Sequence, residues 1–222
     1  MKPVHIVAVV VVFLAAVIVA SGPTLFARRA EAPTPTPAAT VMPMEMASPV
    51  TVSGANAQVE VVFTQAAEHP DTVLSNDILA TRYRLDAAFY AINRPVIIDA
   101  IVMTHKRCGC VRLISDAVQS GLRDQAAALT SIHQAGVPIK VDSHAGIMHM
   151  KMAIIDGSRV DEGSFNATNA ASTINDEVLF RIESSEIAGL SHAEFDVMWT
   201  DSRRFRDWPT AVVPSPSSLP QF

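Results

Sequence analysis

Residues Ile147 to Asn166 read IMHMKMAIIDGSRVDEGSFN. Taken as a strand, Ile147–Ile155 places His149 and Lys151 two positions apart and therefore on one face. Asp156-Gly157 is a two-residue turn signature, so the chain should fold back as a hairpin. The returning strand then carries Gly163, Ser164 and Asn166 towards the end where His149 and Lys151 began. An imidazole, an ammonium, a hydroxyl and a carboxamide converge on a small space. A phosphodiester under attack needs such a set: a nucleophile, a fixed positive charge for its nonbridging oxygens, and neutral donors around them. Taken singly these residues have blander readings: a solvated strand for His149 and Lys151, a turn for Ser164, a cap for Asn166. Their joint spacing argues for a site.

Outward from this hairpin, strands alternate with helices. Val59–Thr64 is a β-branched run and a first strand; Asp71–Thr81 has the spacing of a short helix; Tyr83–Ala91 reads as a second strand. Asn93-Arg94-Pro95 resembles an N-cap with proline near the first helical position. The helix that follows carries Val96, Ile97, Ile98, Ala100, Ile101 and Met103. It ends in His105, Lys106 and Arg107, which suit the negative end of its dipole, with Gly109 as C-cap. Cys110–Asp116 is a third strand, Asp124–Gln134 a second helix and Ile139–Asp142 a further strand. The last helix, from Ser185 to about Asp201, spaces Ile187, Leu190, Phe195 and Met198 helically. The pattern predicts an α/β domain over residues 57–208, with a mixed β-sheet flanked by helices.

His149, Lys151, Asp156, Gly163, Ser164 and Asn166 also fit a known pattern, HxK(x)4D(x)6GSxN, without a gap. The motif resembles that of the phospholipase D superfamily. The order of elements over about residues 58–205 resembles its small bacterial endonucleases with one motif per chain. The resemblance implies a phospholipase D/nuclease-like sandwich and a two-step hydrolysis without metal or cofactor. In that scheme His149 attacks phosphorus to form a phosphohistidine, and the equivalent histidine of a second protomer protonates the leaving alkoxide and then activates water. Lys151 and Asn166 would hold phosphate oxygens, with Gly163 and Ser164 beside them. No second HxK occurs, so the resemblance implies a homodimer with the site on its two-fold axis. It also implies a glutamate shortly after the motif that orients the histidine ring, and Glu177 is the candidate. Asp156 belongs to the motif, but a hairpin turn gives it an architectural role. Glu162, beside Asp161, departs from the small residue or threonine of relatives; two carboxylates beside a phosphate site either repel substrate or simply point outward.

The chain has 222 residues, 49 % apolar, and a formal charge of −5. Residues 56–222 hold fourteen Lys and Arg against twenty Asp and Glu. A basic excess supplies most of the affinity of a nonspecific nucleic-acid binder, so any phosphate-facing surface here must be a local patch. Much of the apolar excess lies in the run from Val4 to Ala20, after Lys2. Residues 1–22 read as a signal peptide or a retained membrane anchor, and residues 4–20 as a point of membrane attachment. Either implies export to a periplasmic or extracellular place, or the inner membrane. Residues 23–56, with Pro33, Pro35, Pro37, Pro43 and Pro49, read as a linker, and 209–222 as a flexible tail.

Cys108 and Cys110 flank a glycine, with His105 three residues before. A strained small-ring disulfide, free or interchain thiols and a metal site all remain open from sequence. His144 is close enough in sequence to line the site; His192 reads as a surface or packing residue, and Trp199 and Trp208 as residues that close the core. Three functions compete. The first is an exported endonuclease acting on DNA or RNA. The second is a phospholipase D-type lipid phosphodiesterase or phosphatidyl transferase. The third is an inactive module that binds phosphate-bearing ligands at a membrane.

Overall fold

The computed structural model describes residues 50–53, 57–65 and 67–209. The segment 1–22, most of the stretch read as a linker, and residues 210–222 lie outside the described residues. No helix among the described residues is long and apolar enough to cross a membrane.

The elements run β1 (Val50–Ser53), β2 (Gln58–Phe63), α1 (Pro70–Ala80), β3 (Leu85–Phe89), α2 (Pro95–Cys108), β4 (Val111–Ser115), a 3-10 turn (Gln119–Gly121), α3 (Arg123–Gln134) and β5 (Ile139–Asp142). They continue with β6 (Lys151–Ile155), β7 (Arg159–Gly163), α4 (Asn169–Thr173), β8 (Val178–Glu183), α5 (Ser185–Thr200) and β9 (Phe205–Trp208). All nine strands form one sheet in the order β1-β2-β8-β7-β6-β3-β4-β5-β9. The β3, β4 and β5 strands are parallel, as strand–helix–strand crossovers require, and the remaining pairs are antiparallel. The expected mixed sheet flanked by helices is therefore the fold.

Side-chain alternation divides the core between the two faces. Ala87, Phe89, Ala153 and Ile155 pack with Leu74 and Ile78 of α1, Ile97 and Ile101 of α2, and Leu129 and Ile132 of α3. Their neighbours Ala88, Met152 and Ile154 point the other way, to Ala188, Phe195 and Met198 of α5. Because β3 and β6 are covered on both faces, apolar residues occupy successive positions in them, Ala87-Ala88-Phe89 and Met152 to Ile155. Trp208 packs on the first cluster and Trp199 on the second, in the core-closing roles expected of them.

Four local expectations change. The β1 strand falls inside the stretch read as linker: Val50, Thr51 and Val52 are β-branched and pair with β2. Neither β8 nor β9 was foreseen. The β6 strand starts at Lys151, so His149 precedes the strand rather than lying within it. Asn93 does not cap α2, whose N-cap is Arg94 without a side-chain bond; its Oδ1 accepts instead from Asn169 N at the start of α4, at 2.8 Å. Gly109 does end α2, at φ +63°, the left-handed C-cap position that favours glycine. Cys108 and Cys110 are joined as a disulfide across it.

Candidate active site

The β6–β7 hairpin turns at Asp156 and Gly157, both at positive φ (51° and 69°), as in the turns whose twist matches paired strands. Asp156 does more than turn the chain. Its carboxylate accepts backbone N–H groups of Arg82 (2.9 Å), Tyr83 (2.7 Å) and Arg84 (3.0 Å), tying the hairpin tip to the entry of β3. This is the end of β6 opposite to Lys151. Asp156 is thus apart from the other motif residues, and the catalytic role its place in the motif implies has no geometric support.

At the open end, Met152 pairs with Glu162. The next residue on each strand, Lys151 and Gly163, lines a cavity of about 590 Å³. His149, Met150, Met152, Glu162, Phe180 and Leu190 also line it. Gly163 is required here, because a Cβ would lie 2.2 Å from the Val178 carbonyl oxygen. Beyond it, Ser164 accepts the Val178 N–H at 3.1 Å and donates to Glu177 Oε2 at 2.6 Å. Asn166 is half-buried. Its Oδ1 is buried with no hydrogen-bond partner among the described residues, and a bound group commonly satisfies such an orphan.

His149 is exposed, and Lys151 is 9 % exposed. The Lys151 ammonium donates to the His149 carbonyl at 2.8 Å. Burial pulls its pKa down from the ordinary lysine value, and the Glu177 charge opposes that shift. Glu177 itself departs from expectation. Its carboxylate is engaged by Ser164 and by Asn175 Nδ2 (3.1 Å). No hydrogen bond joins it to His149 among the described residues. The ring against His149 is that of Tyr90, immediately after β3, with centroids 4.6 Å apart and planes at 67°. Tyr90 was not foreseen. Its place depends on β3 pairing with β6 across some sixty residues of sequence, for which no local pattern gives a signal.

Asp161 and Glu162 point to opposite faces. Asp161 is 1 % exposed on the α1 side. Burial first, and then Asp77, raise its pKa well above the carboxylate range, against the pull of Arg159 and Arg181. Glu162 lines the cavity and forms no ion pair among the described residues. His144 packs its ring against Phe205 at 5.8 Å and is absent from the cavity lining. His192, read as surface or packing, contacts buried Asp86 at 2.9 Å. The described residues hold no group of three or more His, Cys, Asp or Glu able to bind a metal.

This fold, with these residues at the end of a central hairpin, defines a phospholipase D-like domain. The model of the family described as "Cardiolipin synthase, PLD-like domain" matches residues 74–199, more than half of the chain, and the chain belongs to that family. Among curated relatives, a mitochondrial cardiolipin hydrolase of Chlamydomonas reinhardtii is 34 % identical over 59 % of this chain and 59 % of its own length. The human mitochondrial cardiolipin hydrolase is 31 % identical over 59 % of this chain and 52 % of its length. The chain thus spans little more than half the length of these relatives. Among solved structures, the phospholipase D family member Nuc from Salmonella typhimurium is 27 % identical. It has a TM-score of 0.62 and covers 69 % of this chain and 99 % of its own. NucT from Helicobacter pylori shares the fold at 21 % identity and a TM-score of 0.57, covering 64 % of this chain and 96 % of its own.

Proposed function

We propose that this chain is a phosphodiesterase that hydrolyses nucleic acid through a phosphohistidine on His149. The observation that carries the reading is that His149, Lys151 and Gly163 line one cavity at the end of the β6–β7 hairpin from which the chain runs on to Ser164 and Asn166. His149 is exposed, so its imidazole is open to a phosphorus approaching from solvent. In the first step a P–N bond forms as the P–O bond to the leaving group breaks. The ammonium of Lys151 lies beside the nucleophile, where it opposes the charge that grows on the nonbridging oxygens. The carboxamide of Asn166 and the hydroxyl of Ser164 supply neutral polar groups around the same oxygens. The lack of a side chain at Gly163 leaves room for them.

The departing alkoxide needs a proton, and water must then be activated to break the P–N bond. Among the described residues no second histidine lines the cavity, so the reading assigns both steps to the equivalent histidine of a second copy. Activity and dimerisation are then one claim. Export and attachment through residues 4–20 belong to the same reading. The phospholipase D family member Nuc, covered over 99 % of its chain, supports the phosphodiesterase part of the reading.

One observation favours a second substrate class. Met150, Met152, Phe180 and Leu190 give the cavity apolar walls, which suit a lipid phosphodiester better than a polynucleotide. The test is the full chain with plasmid DNA, single-stranded DNA, RNA, and vesicles of cardiolipin or phosphatidylcholine, each with excess EDTA. Chelator-resistant cleavage of nucleic acid, abolished in His149→Ala, is expected. Cleavage confined to vesicles would transfer the assignment to lipid, and loss of cleavage in EDTA would overturn the metal-free mechanism.

A further inference from the structure

His149 must present one imidazole nitrogen to phosphorus, yet among the described residues no hydrogen bond to a side chain fixes its ring. An exposed histidine preceding a strand has free rotation about two side-chain bonds, and catalysis is sensitive to misplacement of about 1 Å. Something has to hold the ring.

Tyr90 is placed to do so. Its backbone N–H donates to the Met150 carbonyl at 2.8 Å, next to His149. Its own carbonyl accepts Gln125 Nε2 at 3.1 Å, and Gln125 is in turn anchored to Ser115 Oγ and the Ile92 N–H, each at 2.8 Å. At the far end of the ring, the hydroxyl accepts Gln119 Nε2 at 2.8 Å. Bonds at the backbone and at the hydroxyl leave the ring little freedom. It then touches both functional side chains: the His149 imidazole in an edge contact at 4.6 Å, and the Lys151 ammonium, 5.1 Å from its centroid. Edge contacts between rings are directional, and a π face attracts a desolvated ammonium. The π face adds to the His149 carbonyl and the Glu177 charge in stabilising the mostly buried Lys151.

We propose that Tyr90 is the positioning residue of this site: its ring sets the orientation of the His149 imidazole and holds the Lys151 ammonium beside it. This role rests on the reading of His149 as nucleophile. The ring face is the working part, and the hydroxyl serves only to anchor it.

The experiment uses the full chain and bis(p-nitrophenyl) phosphate as a generic phosphodiester. Tyr90→Phe keeps the ring and loses the hydroxyl; Tyr90→Leu loses the ring. Tyr90 is half-buried, and Tyr90→Met serves in the same test if the leucine variant does not fold. Tyr90→Phe is expected to retain kcat within about three-fold. Tyr90→Leu should lose about 10²-fold in kcat with little change in KM, because positioning acts on the transition state rather than on ground-state binding. A phenylalanine variant as impaired as the leucine variant would overturn the role of the ring, and so would an unimpaired leucine variant. His149→Ala in the same assay reads the underlying assignment: if it remains active, the nucleophile is wrong whatever Tyr90 does. A readout independent of turnover is the His149 Cε1–H resonance, identified by its absence in His149→Ala. Its ring-current shift should persist in Tyr90→Phe and vanish in Tyr90→Leu; a resonance that does not move in Tyr90→Leu overturns the contact.

Discussion

Gly163 passes so close to Val178 that a Cβ on it would stand 2.2 Å from the Val178 carbonyl oxygen. The same oxygen accepts the N–H groups of Ser164 (3.1 Å) and Phe165 (3.3 Å), so it cannot retreat without breaking both bonds. Gly163→Ala is therefore expected to cost about 1–3 kcal/mol, the usual range for a group forced into a packed site. It should also displace Ser164 and Asn166, which follow Gly163 in the chain. Urea unfolding measures the first effect and phosphodiester turnover the second; a variant with parental values for both would refute the close approach.

Asp156 joins the hairpin tip to Arg82, Tyr83 and Arg84. Hydrogen bonds to an ionised group contribute about 1.5–3 kcal/mol, so Asp156→Ala should destabilise the fold by roughly that amount. Because Asp156 lies at the far end of β6 from Lys151, protein that remains folded should keep near-parental turnover in the cold. An inactive yet fully stable Asp156→Ala would restore a catalytic role to this residue.

The proposed mechanism requires a charged Lys151, and burial holds its pKa below the ordinary 10.5. The sign follows directly: the ammonium is lost at a lower pH than for a free lysine. The alkaline limb of the kcat/KM profile should accordingly fall below 10.5. Glu177 pulls the other way, so Glu177→Gln should move that limb lower still. A limb that moves up in Glu177→Gln would contradict the electrostatic account.

His192 meets fully buried Asp86, which Arg84 and Arg112 also engage. Burial, and then Arg84, lower the His192 pKa from 6.5, while Asp86 and Asp196 raise it less. A histidine with a depressed folded pKa binds its proton more readily when unfolded. Stability is then full above 6.5 and declines as pH falls from there through the lower folded value. The urea midpoint should drop on acidification through this window, and His192→Gln should flatten that part of the dependence. An equal drop in the variant would place the titrating group elsewhere.

The Cys108–Cys110 bridge encloses a single residue. Loop-closure entropy for so short a ring amounts to roughly 1–2 kcal/mol. Reduction should therefore shift the unfolding midpoint only slightly and leave the fold intact, as unfolding with and without a dithiol reductant will measure. Unfolding upon reduction alone would show that the bridge does more than tether the C-terminus of α2 to β4.

The hairpin that decides the fold was legible because its determinants are local: a short apolar run through β6, Asp156-Gly157 at the turn, and fixed spacing on and just after β7. Four of the helices, α1, α2, α3 and α5, were legible from apolar spacing and from Gly109, whereas the five-residue α4 is too short to show a period. What sequence could not give depends on pairing at a distance. FRDW, at 205–208, is a strand only because β5 offers it a partner. Tyr90 meets His149 only because β3 lies beside β6, and Glu177 was assigned to His149 because sequence does not reveal its bond to Ser164. Asp161 and Glu162 looked like a joint obstacle to phosphate, but strand alternation sends one into the core and leaves only the other at the cavity.

The placement of β2 beside β8 has a consequence for how this chain is made. Phe63 waits for Val178, and Gln58 for Glu183, so an early strand emerges from the ribosome long before the partner that will cover its inner edge exists. The parallel β3–β4–β5 group and the β6–β7 hairpin can assemble first from nearer neighbours. Contacts so remote in sequence slow folding, and an unpaired edge invites association with other chains. Joining of β2 to β8 should therefore be the late, aggregation-sensitive step of folding.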